Sequence, residues 1–143
     1  MIKILFKKLV IELKHYYISP YNEMKRGSMR NLVKIFKALS DPQRIRILKM
    51  LEVRPLCVCE ISEILKLANS TVSKHLSLLR DVDFILDKKE GKWVNYSLNP
   101  ENKNFVNKLQ PLIEDSLKKD KTVKDDIGRI KSIDRHHICN IRK

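Results

Sequence analysis

Three cysteines are the residues of this chain best suited to chemistry, and two of them stand one residue apart in the stretch Leu56-Cys57-Val58-Cys59-Glu60. The third, Cys139, lies near the carboxyl end beside His136 and His137. Thiolates bind thiophilic ions. An odd number of cysteines, two of them too close for an ordinary structural disulfide, is typical of a reducing compartment, where thiols bind metals or sense oxidation. The sequence therefore predicts a cytoplasmic protein with a thiol-based site.

The Cys57–Cys59 pair falls at the predicted start of a helix. Within one regular helix the two side chains would point about 200° apart, because each residue turns the helix by about 100°. One ion can bridge both sulfurs only if the first turn deforms. This helix leads directly into another through Ala68 and Asn69. We therefore expect ion binding to change the orientation of the helix that follows.

The charge of the chain favours a polyanionic partner. Lysine and arginine total 30 against 17 acidic residues, which gives a net charge of +13 and a pI near 9.8. Nucleic acid and anionic membrane surfaces are the partners that such a charge attracts. The sequence contains no run of about 18 apolar residues, so we expect no membrane-spanning segment. The low counts of glycine (3) and proline (5) argue against a β-sandwich, a barrel or a disordered chain.

The length of 143 residues suits one domain with an arm at each end. We expect an N-terminal extension over residues 1–27, a central domain over residues 28–118 and a charged tail over residues 119–143. Apolar side chains recur at near-helical spacing in residues 1–17. This segment is an extra helix that packs on a dimer partner, a helix on a membrane surface, or translated sequence ahead of a later true start. The first and third readings are favoured.

The central domain is predicted to consist of helices followed by a hairpin. Asp41 and Pro42 are suited to the N-cap and first turn of a helix, Ser70 is the expected N-cap of another, and Gly91 suits a hairpin turn. The predicted fold is mainly α with a small β-hairpin, a winged helix-turn-helix. Its elements are, in chain order, helices at residues 28–40, 42–54, 57–66 and 71–81, a hairpin formed by residues 84–87 and 93–98, and a fifth helix that ends near residue 117.

The fourth helix and the hairpin carry residue types that suit DNA. With the apolar side of the helix buried, its outer face presents short hydrogen-bonding or basic side chains, which can meet base edges in the major groove. The hairpin turn carries Lys88, Lys89 and Lys92, which can reach flanking phosphates without reading sequence. The residues of the outer helical face are Ser70, Thr71, Ser73, Lys74 and Ser77.

Three stretches carry a resemblance to a known family. FKALSDPQRIRIL (residues 36–48) closely resembles the opening signature of the ArsR/SmtB family of metal-responsive repressors, STVSKHLSLLR (70–80) resembles its recognition helix, and EGKWVNYSL (90–98) resembles its wing. The resemblance covers about residues 30–117. It implies a homodimeric winged-helix repressor, paired through its first and last helices, on a palindromic operator in double-stranded DNA. The DNA contacts that it implies are Ser70, Thr71, Ser73, Lys74, His75 and Ser77.

Two positions within the resemblance, His75 and Asp83, carry specific expectations. His75 lies beside the apolar face of its helix, so it either contacts the DNA or orients the helix. Asp83 stands where the family usually has glycine before the wing, and aspartate tolerates the left-handed backbone that this turn requires.

The stretch around the paired cysteines is similar to the third-helix arsenic site of the same family. That similarity implies trivalent arsenic or antimony held by two or three sulfurs of Cys57, Cys59 and a third thiol. The family's usual third position is Ser62 here, which leaves Cys139 as the substitute if the tail folds back. His136 and His137 could instead complete a mixed site for cadmium, lead or zinc. Residues 101–119 contain no histidine, which disfavours the family's other common zinc site.

Three functions remain in competition, and none of them is enzymatic. The leading hypothesis is a repressor released from its operator by arsenite or antimonite. The second is a redox or reactive-sulfur sensor in which Cys139 bridges to Cys57 or Cys59. The third is a constitutive architectural DNA binder without an effector. An enzyme is not expected, because no orienting acid or oxyanion site accompanies the serines near His75.

Overall fold

The structure is a computed structural model that describes residues 29–101 and 106–141. The expectations for residues 1–27 lie outside the described residues. The chain divides into two compact units, with the division between Lys37 and Ala38. The elements are α1 (Met29–Leu39), α2 (Pro42–Val53), β1 (Leu56–Cys57), α3 (Val58–Leu65), α4 (Asn69–Asp81), β2 (Ile85–Glu90), β3 (Trp93–Leu98), α5 (Val106–Leu117), α6 (Lys121–Ser132) and α7 (Arg135–Ile141).

The start of α2 follows from two adjacent residues. The Asp41 carboxylate accepts hydrogen bonds from the backbone N–H groups of Gln43 and Arg44 at 2.8 and 3.2 Å, and Pro42 occupies the first turn. These contacts satisfy N–H groups that have no partner within the helix. The predicted cap is confirmed.

The helix-turn-helix consists of α3 and α4, and its apolar faces form the core. Lys66 ends α3 in the left-handed conformation at φ +56°. The next helix begins two residues earlier than predicted: Ala68 is its N-cap, and the Ala68 carbonyl accepts from the backbone N–H groups of Thr71 and Val72. The prediction that Ser70 caps α4 is therefore wrong. The fully buried apolar side chains are Ile47, Met50, Leu56, Ile61, Ile64, Val72, Leu76, Leu79, Ile85 and Ile130.

The predicted hairpin is present, and a short third strand joins it. The antiparallel sheet has the order β1-β3-β2, so β3 is the central strand. Cys57 of β1 pairs with Asn95 of β3. The hairpin turn places Gly91 at φ +60°, and Asp83 before the wing adopts φ +61°, as expected for that position. The fold class of the sequence analysis, mainly α with a small hairpin, is confirmed.

The segment after α5 forms two helices to which the sequence analysis assigned no element. α6 docks on α2, where the Arg46 guanidinium donates to both oxygens of the buried Asp126 carboxylate at 2.7 and 2.8 Å. Val123 and Ile130 are the apolar residues that α6 buries. α7 packs against α3. Among the described residues, no helix combines the length and apolar character that crossing a membrane requires.

Candidate functional site

The three cysteine sulfurs of the chain lie together. The Sγ atoms of Cys57 and Cys139 are 3.7 Å apart, and the Sγ atoms of Cys57, Cys59 and Cys139 all lie within 4.8 Å of one another. All three are free thiols; Cys57 is buried, and the other two are half-buried. Cys139 thus comes beside the Cys57–Cys59 pair from 80 residues away in sequence, which is the arrangement that a tail folded back onto α3 requires.

The backbone at Cys57 explains how two neighbouring cysteines face the same point. Cys57 belongs to β1 and is the N-cap of α3, with an extended backbone at φ −89° and ψ 168°. Cys59 lies in the first turn of α3. Because Cys57 precedes the helix, the separation of about 200° between i and i+2 side chains does not apply to this pair. The predicted helix start at Cys57 is therefore corrected to Val58.

The spacing of the sulfurs suits one thiophilic ion. Sulfurs bound to an ion at about 2.3 Å in tetrahedral directions lie about 3.8 Å apart. The Cys57–Cys139 separation already matches this value, and no pair of the three sulfurs is more than 4.8 Å apart, so each separation needs to close by at most about 1 Å. Among the described residues, the cluster contains cysteine only. The ring of His136 lies instead against Trp93, 5.1 Å between centroids.

Two of the three thiols, those of Cys57 and Cys139, have raised pKa values. Burial raises the pKa of the Cys57 thiol. Burial and the neighbouring thiols of Cys59 and Cys57 raise the pKa of Cys139 to about 12. Both groups are therefore protonated near neutral pH, and a ligand must displace those protons or react with the thiols themselves.

A buried carboxylate, that of Glu60, lies beside the cluster. Its side chain is 1% exposed, and its Oε2 accepts from the Cys57 backbone N–H at 2.8 Å and from Arg135 Nη2 at 3.0 Å. Oε1 accepts from Arg54 Nη1 at 2.9 Å. Burial alone would raise the pKa of Glu60, but the Cys57 N–H and the two guanidinium groups hold it below its usual value. Glu60 was not predicted as a site residue, although it stands three residues after the N-cap, where the capping box places an acid.

The two segments that carry the cysteines, β1 with the start of α3 and α7, both contact the wing. Trp93 of β3 meets the His136 ring edge-on at 80°, and Arg135 Cζ lies 5.5 Å from the Trp93 ring centroid. Cys57 pairs with Asn95 on the same strand. Asn95 is buried; its Nδ2 donates to Glu90 at 2.6 Å, and its Oδ1 has no hydrogen-bond partner among the described residues. β3 therefore touches both segments that carry the thiols.

The structure places Ser62 in α3, one turn after Cys59. Its side chain is fully buried, and its hydroxyl has no hydrogen-bond partner in the part of the chain that the structure describes. The position where a third thiol was expected on α3 is thus a buried serine, while the third sulfur of the cluster comes from α7.

The residues predicted to contact DNA lie on one helix and one turn. On α4, Ser70, Thr71, Ser73 and Lys74 are exposed, and Ser77 is half-exposed. His75 is half-buried, with Nδ1 3.5 Å from Arg44 Nη1, so this ring contacts α2 and also borders the outer face. In the wing, the side chains of Lys88, Lys89 and Lys92 are exposed.

The chain is similar to known regulators over this region. Residues 41–86 match the family model described as "Bacterial regulatory protein, arsR family". The arsenical resistance operon repressor of Escherichia coli K12 is 42% identical over 69 residues, which cover 48% of this chain and 59% of that protein. A homologue of the cadmium resistance regulator CadC from Staphylococcus aureus is 38% identical, over 60% of this chain and 73% of that protein.

The structural comparison agrees with the sequence comparison. Reduced HlyU from Vibrio cholerae N16961 has a TM-score of 0.52 and 31% identity, over 67% of this chain and 94% of that one. The family model, the relatives and the similar structures are those of DNA-binding regulators rather than enzymes.

Proposed function

Because the chain belongs to the arsR family of bacterial regulatory proteins, we propose that it is a homodimeric repressor that leaves its operator when trivalent arsenic or antimony binds Cys57, Cys59 and Cys139. The observation that carries the proposal is the meeting of these sulfurs within 4.8 Å from two distant segments. Three soft donors without a histidine suit a trivalent metalloid.

The protonated state of the thiols favours arsenite over a divalent cation. Arsenous acid condenses with three thiols to form three As–S bonds and three waters, so the reaction releases no net protons. A divalent cation must instead expel the thiol protons, which lowers its affinity at neutral pH. The raised pKa values of Cys57 and Cys139 make that penalty large. The relatives from Escherichia coli and Staphylococcus aureus are named for arsenical and cadmium resistance, so cadmium is the main competitor.

The proposed DNA interface consists of the outer face of α4 and the lysines of the wing. The α4 face would enter the major groove, and Lys88, Lys89 and Lys92 would contact phosphates. Pairing of two copies is supported by exposed apolar side chains on helices near each end of the domain. These are Met29, Leu32, Val33 and Phe36 on α1, and Leu112 on α5.

The route from thiols to DNA runs through the wing in this proposal. Drawing the sulfurs together shifts Cys57, which is paired with β3, and α7, which contacts Trp93. The sequence predicted that the signal passes from α3 to α4. The contacts of β3 support a second path, in which the wing lysines move relative to the DNA backbone.

The fluorescence of Trp93 is expected to report arsenite binding. Trp93 is the sole tryptophan of the chain and touches Arg135 and His136 of the cysteine-bearing helix. Saturating arsenite should change its emission, and the change should be much smaller in a Cys139→Ser variant, in which α7 carries no thiol. Emission that stays constant while arsenite binds would contradict the wing route.

Replacement of Lys74 by alanine is expected to weaken specific operator binding by about 1–3 kcal/mol if Lys74 reads a base edge. Lys74 is exposed on the outer face of α4. Lys119, exposed in the turn between α5 and α6, provides a matched control with the same loss of charge. Titrations with an operator selected from random duplexes, and with a scrambled duplex, measure both effects. Equal losses for Lys74→Ala and Lys119→Ala would remove Lys74 from the proposed interface.

The function as a whole is tested by operator titrations in the presence of reductant. Arsenite and antimonite should lower operator affinity at concentrations where cadmium and zinc do not. Unchanged affinity with every ion would favour a constitutive DNA binder.

A second candidate function, a redox sensor, is favoured by the distance between two of the sulfurs. The Cys57 and Cys139 sulfurs, 3.7 Å apart, are close enough to form a disulfide after a small movement. Peroxide would accept the two electrons, because two thiols and H₂O₂ yield one disulfide and two waters. Mass spectrometry after mild peroxide treatment, combined with operator titration, distinguishes a redox sensor from a metalloid sensor: only the former loses operator affinity on oxidation alone.

A further inference from the structure

The helix that carries Cys139 depends on an external support. α7 has only seven residues, and isolated helices of that length are unstable in water. Its first residue, Arg135, reaches the buried carboxylate of Glu60, with Nη2 at 3.0 Å and Nε at 3.3 Å from Oε2. Both nitrogens on one edge of the Arg135 guanidinium thus donate hydrogen bonds to the same buried oxygen, Glu60 Oε2.

We propose that Glu60 and Arg135 are positioning residues that deliver Cys139 to Cys57 and Cys59, so that the third sulfur is in place before the metalloid arrives. The inference rests on the proposed function of the cysteine cluster. Beyond its contribution to the fold, the Glu60–Arg135 pair is assigned a role in metalloid affinity and in the number of sulfurs that bind the metalloid.

One atom, Glu60 Oε2, is hydrogen-bonded to both segments that carry the thiols. Glu60 Oε2 also accepts the backbone N–H of Cys57 at 2.8 Å. Arg135 and Cys139 are four residues apart on α7, so they share one face of the helix. The carboxylate therefore fixes the backbone of the first thiol ligand and, through Arg135, the helical face that carries the third.

The surroundings allow this role to be separated from folding. Arg54 donates to Glu60 Oε1 at 2.9 Å, so the buried carboxylate keeps a cationic partner when Arg135 is replaced. Arg54 is the C-cap of α2, and its guanidinium also donates to the carbonyls of Pro55 and Ile130, neither of which belongs to α7. Arg54→Gln is thus a matched control: it removes a guanidinium from the same carboxylate and leaves the Arg135 contact.

The test compares arsenite affinity in reductant for the wild type, Arg135→Gln, Arg135→Lys and Arg54→Gln. Removing a group that orients a ligand lowers metal affinity by about 10–100-fold, and we expect this loss for Arg135→Gln. Arg135→Lys should recover part of the loss, and Arg54→Gln should stay close to the wild type. In a Cys139→Ser background, Arg135→Gln should have no further effect, because the ligand that it positions is gone.

A second readout needs no arsenite. The alkylation rate of Cys139 by iodoacetamide, followed by mass spectrometry, should rise in Arg135→Gln and not in Arg54→Gln, because α7 is released only in the former. Unchanged affinity and unchanged alkylation in Arg135→Gln would overturn the inference, as would an equal loss of affinity in the Cys139→Ser background. A wild-type protein that binds no arsenite would contradict the proposed function instead, whatever the alkylation rates.

Discussion

Replacement of Cys139 by serine is expected to lower arsenite affinity by about 10²–10⁴-fold, because it removes one arm of a chelate whose third donor is held at high effective concentration. Operator affinity without arsenite should be unchanged, since Cys139 lies on α7 and is not one of the residues of α4 and the wing turn that are proposed to contact DNA. The measurement is a pair of titrations, arsenite into the protein and protein into operator DNA, both in reductant.

The control for this substitution lies on the same helix. His137 is exposed, two residues before Cys139, and His137→Ala should bind arsenite as the wild type does. A large loss with His137→Ala would instead indicate the mixed nitrogen and sulfur site that the sequence left open. Retention of wild-type affinity in Cys139→Ser would reduce the inducer site to Cys57 and Cys59.

The second large effect is expected in the pH dependence of ion binding. Burial raises the pKa of Cys57, and burial with neighbouring thiols raises that of Cys139 to about 12. Between pH 6 and 8 the empty site therefore keeps these protons. Cadmium must release them, so its affinity should rise with pH by about tenfold per unit for each proton displaced. Arsenous acid is neutral and releases water, so its affinity should stay nearly constant.

Isothermal titrations in buffers of different ionisation enthalpy measure the protons directly. The expected number of protons released per bound ligand is close to zero for arsenite and at least one for cadmium. Arsenite affinity that rises as steeply with pH as that of cadmium would mean that the site binds through thiolates already free of protons, and would remove the proposed basis for selectivity.

Local chemistry was sufficient to predict much of the fold. The Asp41 cap, the turn at Gly91 and the left-handed backbone of Asp83 each depend on a residue and its immediate neighbours. The start of α4 was misplaced because serine is a good N-cap in general, whereas here the carbonyl of Ala68 already accepts the first helical N–H groups.

The parts that escaped prediction depend on distant partners. Cys57 is extended because β1 pairs with β3, nearly 40 residues away. α6 buries only Val123, Asp126 and Ile130 among charged neighbours, so its apolar stripe is too sparse to stand out in the sequence. The Glu60–Arg135 pair joins residues separated by 75 positions, and no local spacing indicates it.

The central claim, that Cys139 completes a three-sulfur inducer site with Cys57 and Cys59, is tested most directly by X-ray absorption at the arsenic edge of the arsenite complex in reductant. We predict three sulfur neighbours per arsenic in the wild type, and two with one oxygen in Cys139→Ser. Two sulfurs and an oxygen in the wild type, unchanged by the substitution, would contradict it.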